Sequence, residues 1–144
     1  MNDNKPTCTT YPNGDKIWLL NGIRHREDGP AFEGANGFKE WCLNGKKHRE
    51  DGPAAEHRNG SKEWWLNDKL HREDGPAVVT AIGRKEWWLN GGLHREDGPA
   101  VERASGAKEW WLNDKEATAL EVFRRADDEQ RKHMLCFYAS EFST

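Results

Sequence analysis

No apolar run in the sequence approaches the roughly 18 residues that a membrane-spanning helix needs, so a helical membrane protein is not expected. Cysteine is scarce: Cys8, Cys42 and Cys136 stand far apart and make neither a disulfide framework nor a zinc-binding spacing. Neither sign of charge dominates. The 22 Lys and Arg oppose 25 Asp and Glu, for a net charge of −3, which argues against a general nucleic-acid or anionic-membrane binder. The opening stretch MNDNKPTCTT lacks the apolar segment of a signal peptide, so the expected location is a reducing cytoplasm. A P-loop, a nucleophile elbow and a metal-hydrolase motif are also missing. Neither an enzymatic activity nor a metal or cofactor is expected.

Tryptophan and repetition are abundant instead. Eight Trp in 144 residues are too many for a disordered chain, yet 33 % charged residues leave little for a large conventional core. The string H-R-E-D-G-P-A begins at His25, His48, His71 and His94, in steps of 23 residues. The lead-in keeps the same step. Trp18, Trp41, Trp64, Trp87 and Trp110 recur, each followed two residues later by Leu and three later by Asn. A fifth copy stops at Ala117-Thr118-Ala119-Leu120. The chain therefore reads as a polar N-terminal segment (1–10), an array of four full units and a closing half-unit (11–115), and a tail (116–144).

The lead-in Lys-Glu-Trp-Trp-Leu is short, aromatic and bounded by turn signals, as strands are. Asn-Gly stands on both sides of several copies, as at Asn36-Gly37 and Asn44-Gly45. That pair suits a two-residue hairpin, because both central residues take positive φ. The second strand is expected to begin near the His and to be interrupted at Asp-Gly-Pro, where Pro has no N–H for a ladder. The fold class is thus mainly β: tandem 23-residue hairpins, one per unit, in an elongated twisted antiparallel sheet. Trp and Leu two residues apart share a face, so the first Trp of each copy is expected in a continuous buried apolar band.

The pattern W-x-L-N-G-K-x-H-R-E-D-G-P-A followed by G-x-K-E-W resembles MORN-type repeats, most of all the variant copies in bacteriophage and giant-virus proteins. The resemblance covers about 100 of the 144 residues. It departs from the usual pattern in placing Arg-Glu-Asp between the His and Gly29, Gly52, Gly75 and Gly98. It implies a hairpin solenoid with a binding role and names no ligand.

In the tail, Thr118 with Glu121 and Asp127 with Gln130 fit capping boxes that open two short helices. Leu120 and Phe123 are expected on one face of the first, and Met134, Leu135, Tyr138 and Phe142 in an apolar stripe on the second. Such helices cover the open end of an array; the sharper alternative has the second helix dock into a partner.

A catalytic constellation is needed once, whereas H-R-E-D occurs four times, so its residues are read as joints between units. Arg26, Arg49, Arg72 and Arg95 are expected to pair with acids of neighbouring units in charge ladders. Recognition is sought where copies differ. The position after the first Trp runs Leu19, Cys42, Trp65, Trp88, Trp111. Trp65, Trp88 and Trp111 form either a stripe covered by Phe123, Met134 and Phe137 or an exposed binding platform. Phe32, Phe38 and His57 also vary, and Arg58, Arg84 and Arg103 are candidates for a small basic edge that holds an anionic group.

The leading functional expectation is a non-enzymatic interaction module that binds a partner protein, in the viral setting a phage protein engaging a host defence factor. The alternative is capture of a nucleotide-like small ligand, its base stacked on indoles and its phosphates held by Arg and His. Homodimers through a sheet edge or the C-terminal helices are a further expectation.

Overall fold

The computed structural model describes residues 4–142; residues 1–3 of the N-terminal segment and 143–144 of the tail lie outside the described residues. The protein is mainly β, with 18 antiparallel strands among the described residues and two C-terminal α-helices. No described helix is long and apolar enough to cross a membrane. The chain divides into two compact units, Met1–His71 and Arg72–Thr144.

The first unit holds β1 (Thr7–Thr10), β2 (Lys16–Leu20), β3 (Ile23–Arg24), β4 (Phe32–Glu33), β5 (Lys39–Glu40), β6 (Cys42–Leu43), β7 (Lys46–Lys47), β8 (Ala55–Glu56), β9 (Lys62–Glu63), β10 (Trp65–Leu66) and β11 (Lys69–Leu70). Its sheet runs β1-β2-β4-β5-β8-β9, with β3 on β2 and the side hairpins β6-β7 and β10-β11. Two expectations change here. The N-terminal segment contributes a strand, since β1 pairs with β2 from Thr7 opposite Leu19 to Thr10 opposite Lys16. Each repeat also makes two hairpins rather than one, because the inner lead-in strand breaks at its first Trp and changes partner. Before Trp41, β5 pairs with β4 and β8; after it, β6 pairs with β7. Trp41 itself donates its N–H to Ala54 O (2.7 Å) and accepts from His48 N (3.0 Å).

The two Asn-Gly turns are chemically different. In the turn after the lead-in both central residues have positive φ, 51° at Asn44 and 78° at Gly45, as a two-residue hairpin requires. In the turn before it, only the Gly is left-handed (Gly37, φ 93°). There the Asn36 side chain accepts from Phe38 N (3.0 Å), an Asx turn that Asn makes without leaving ordinary φ.

The charge ladder exists, but lysine and glutamate build it. Across the first unit Lys16, Glu33, Lys39, Glu56 and Lys62 stand opposite one another in strand register. The motif arginines instead close their own loops. Arg49 bonds through Nε to Asp51 (3.0 Å) and through Nη1 to Pro53 O (3.0 Å), and its guanidinium lies 4.0 Å from the Trp41 ring centroid. Arg26 repeats this on Asp28, Pro30 O and Trp18, and Arg95 on Asp97, Pro99 O and Trp87. The glycine of Asp-Gly-Pro leaves room for that side chain: a Cβ on Gly52 would stand 3.0 Å from Arg49 Cζ.

The expected band of buried indoles is corrected accordingly. Trp18, Trp41, Trp64 and Trp87 are only half-buried, and Trp110 alone of the series is buried. The fully enclosed residue of each copy is the alanine after Pro: Ala31, Ala54, Ala77 and Ala100 are all 0 % exposed. A small side chain belongs there because the backbone strands converge on it. Ala54 N donates to Glu63 O while Ala54 O accepts from Trp41 N.

The second unit holds β12 (Val78–Val79), β13 (Lys85–Glu86), β14 (Trp88–Leu89), β15 (Gly92–Leu93), β16 (Val101–Glu102), β17 (Lys108–Leu112) and β18 (Lys115–Ala117). The fifth Asn turn still forms, so β18 pairs with β17 and carries the array to Ala117. Thr118 then caps α1 (Ala119–Arg125) and Asp127 caps α2 (Asp128–Tyr138), each with a complete capping box. A 3-10 turn, Ala139–Phe142, follows. Trp110, Leu112, Ala119, Val122, Ala126 and Met134 form one core, with Phe123, Tyr138 and Phe142 against it. The helices thus cover the last repeat, as a cap does. Their inner faces differ from the expected stripes: Ala119, Val122 and Ala126 turn inward while Leu120 and Leu135 are exposed.

Gly52→Ala is expected to displace the Arg49 guanidinium and to cost about 1–2 kcal/mol in urea denaturation, the size of a lost cation–π stack with its bonds loosened. Deletion of residues 126–144 removes Met134 from contact with Trp110. It is expected to redshift Trp emission and lower the melting midpoint; an unchanged midpoint would exclude the capping role.

Candidate functional site

Two surfaces carry side chains beyond those that build the sheet. The first is the varying position after the first Trp. Glu63 and Trp65 are two residues apart and share a face, and Trp65 Nε1 donates to Glu63 Oε2 (2.9 Å). Trp88 does the same with Glu86 (2.9 Å). Both indoles are half-buried, and Lys47 lies 4.5 Å from the Trp65 ring centroid. Trp111 is also half-buried, with its side chain beside Glu109. The tail's core includes Trp110 and Leu112 but not Trp111, and Phe137 is 69 % exposed. Cover of this stripe by Phe123, Met134 and Phe137 is therefore replaced by packing against the other face of β17.

Two of the three candidate basic-edge arginines are held by carboxylates. Arg58, in the first unit, is exposed, its aliphatic stem near Gly37. Arg84 and Arg103, in the second, are tied to Glu86 and Glu109. The Arg103 hydrogen bond holds the Glu109 carboxyl below its ordinary range. An arginine already occupied by a carboxylate is a poor receptor for a phosphate, since binding would strand the acid. In the first unit the varying residues do converge: Phe38 lies between Phe32 (6.0 Å) and His57 (5.0 Å), with Arg24 5.0 Å from the Phe32 ring centroid.

At the varying position after the first Trp, the second copy carries Cys42, buried beside Glu40, which accepts from Sγ at 3.4 Å. Burial first, and then the Glu40 charge, push this thiol up to about 12.

The second surface is formed by the H-R-E-D-G-P loops. Here the histidine serves as the joint. His25 Nδ1 accepts from Asn44 N of the next copy (3.0 Å), His48 from Asn67 (3.1 Å) and His94 from Asn113 (2.9 Å). An Nδ1 that accepts leaves the proton on Nε2, which faces the motif Glu. The adjoining backbone bonds also run between copies, Arg26 N to Cys42 O and Arg49 N to Trp65 O (both 3.1 Å). His and Arg of the motif are thereby accounted for structurally. Among the described residues, no three His, Cys, Asp or Glu converge to hold a metal.

Consecutive loops leave a groove. In the first unit it has a volume of about 670 Å³; its floor is Trp41 and Leu43, and its walls are Arg26–Gly29 and His48–Asp51. In the second unit the same positions recur as Trp87, Leu89, Arg72–Gly75 and His94–Asp97, joined by Gln130 and His133 of α2. Gln130 Nε2 donates to Glu96 (3.1 Å). Sequence reading missed this surface because it took the whole motif as joint. The available signal was charge: the four copies hold eight carboxylates and four arginines, and the remaining chain is close to neutral.

The chain matches no protein-family model and no curated protein.

At pH 8, iodoacetamide is expected to alkylate the exposed Cys8 and Cys136 and spare Cys42 until the protein is unfolded, because the thiolate is the reacting form. Peptide mass mapping checks it.

Proposed function

We propose that this chain is a non-enzymatic, MORN-like repeat scaffold that binds a partner protein through the face bearing its H-R-E-D-G-P loops. The observation behind this reading is the recurrence, in both units, of a groove with the same aromatic and leucine floor and the same carboxylate walls. Repeat scaffolds bind in this way, presenting equivalent positions on neighbouring units to one extended ligand. A groove of this size, lined by alternating apolar and charged groups, suits side chains of a polypeptide. Capture of a nucleotide draws less support, since Arg84 and Arg103 are neutralised and the Trp65 and Trp88 Nε1–H groups are spent on glutamates.

Affinity capture with the intact chain from a bacterial lysate, read by mass spectrometry, is expected to recover a stoichiometric protein partner. Thermal-shift measurements against mono-, di- and cyclic nucleotides are expected to be flat. A panel with a clear nucleotide-dependent stabilisation and no captured protein would reverse the reading.

A further inference from the structure

Of the four motif residues, three have a structural task in the first unit. His25 and His48 join copies, Arg26 and Arg49 close loops, and Asp28 and Asp51 each give one oxygen to their own arginine. Glu27 and Glu50 are different. Their carboxylates are 84 % and 85 % exposed and stand 3.7 and 3.6 Å from the neighbouring His Nε2, beyond hydrogen-bond length. The positive charges of the same loops are turned inward, with Arg26 and Arg49 only 21 % and 24 % exposed. The groove between the loops therefore presents carboxylates on both walls above an apolar floor of Trp41 and Leu43. The walls carry four carboxylates against two arginines, and a low-dielectric floor between them concentrates the resulting negative field in the cleft. A side chain that fits has a long aliphatic stem and a cationic end, as Lys and Arg do.

The sheet order sets the repeat distance. The two loops lead into β4 and β8, which are two places apart in the order β4-β5-β8. Neighbouring strands are about 4.8 Å apart, so equivalent loop positions are about 10 Å apart. An extended or polyproline-like chain advances about 3.1–3.3 Å per residue and covers that distance in three residues. We infer that the loop face of the first unit binds an extended basic segment of a partner protein, with Lys or Arg at every third position. This deepens the partner-binding reading and rests on it.

The test is fluorescence anisotropy with the intact chain and a labelled peptide of repeated Arg-Pro-Ser. Two control peptides carry the same composition with the arginines in one block, and Glu in place of Arg. The spaced peptide is expected to bind, to weaken as salt is raised, and to exceed the block peptide by about threefold, the value of one matched exposed ion pair. Glu27→Gln with Glu50→Gln is expected to weaken it about fivefold with an unchanged melting midpoint. Glu116→Gln with Glu129→Gln, which alters net charge equally, is expected to leave it within about twofold.

Equal loss in the two double variants would mean a response to net charge alone and would overturn the site. Binding of the block peptide or of spermine as tightly as the spaced peptide would overturn the register. No binding of the spaced peptide, with a partner still captured from lysate by the Glu27→Gln/Glu50→Gln chain, would overturn this inference and spare the scaffold reading. Absence of both binding and capture would remove the two together.

Discussion

One guanidinium per repeat organises the chain. Arg49 stacks on Trp41, bonds Asp51 and Pro53 O, and lies over Gly52. Lysine would not substitute, because the contacts need a planar fork with donors in two directions and a face for the indole. The neighbours in the motif follow from that demand. Glycine leaves the space the fork occupies. Proline supplies a carbonyl and has no N–H that would need a partner in the turn. A tight loop thus closes on itself with charge-assisted bonds and a cation–π contact worth about 0.5–2 kcal/mol. A chain with a mean hydropathy of −1.06 is held in this way by many local closures, with a compact apolar core where the tail supplies Val122 and Met134 to Trp110 and Leu112.

The loop then makes the joint possible. With Arg26 holding its own loop, the His25 ring is fixed and its Nδ1 receives Asn44 N–H, a donor at a left-handed turn that no strand satisfies. Such a bond contributes about 0.5–1.5 kcal/mol, so the histidine's value lies in tying its own copy to the next copy's turn. The enclosed alanines show the other side of the same constraint. Strand backbones approach at Ala54 from both directions, and a larger side chain would push them apart.

The sequence made the period, the positive-φ turns such as Asn44-Gly45, both capping boxes and the capping tail legible, because each depends on local chemistry or bare repetition. Less legible was anything settled by three-dimensional neighbours. Asn36-Gly37 and Asn44-Gly45 are the same dipeptide, yet one makes an Asx turn and the other a two-residue hairpin, and only the flanking strand partners decide. The indoles looked like core because size and aromaticity usually mean burial; Trp18 and Trp41 instead stay half-buried, each covered by an arginine from eight residues further on. Arg84 and Arg103 looked like anion receptors because pairing with Glu86 and Glu109 is invisible until the strands are in register.

Faithful repetition mixes two kinds of constraint. A residue can recur because every joint needs it, or because every unit offers it to the same ligand. Burial and bonding separate the two: His48 and Arg49 are largely buried and hydrogen-bonded, whereas Glu50 beside them is exposed and loosely held. In the second unit the tail enters this scheme, since Gln130 bonds Glu96 and His133 lines the groove there. The helix that caps the array therefore also occupies part of the second groove. The first unit's groove is lined by its own two loops with Trp41 and Leu43, and Glu27 and Glu50 on its walls are exposed.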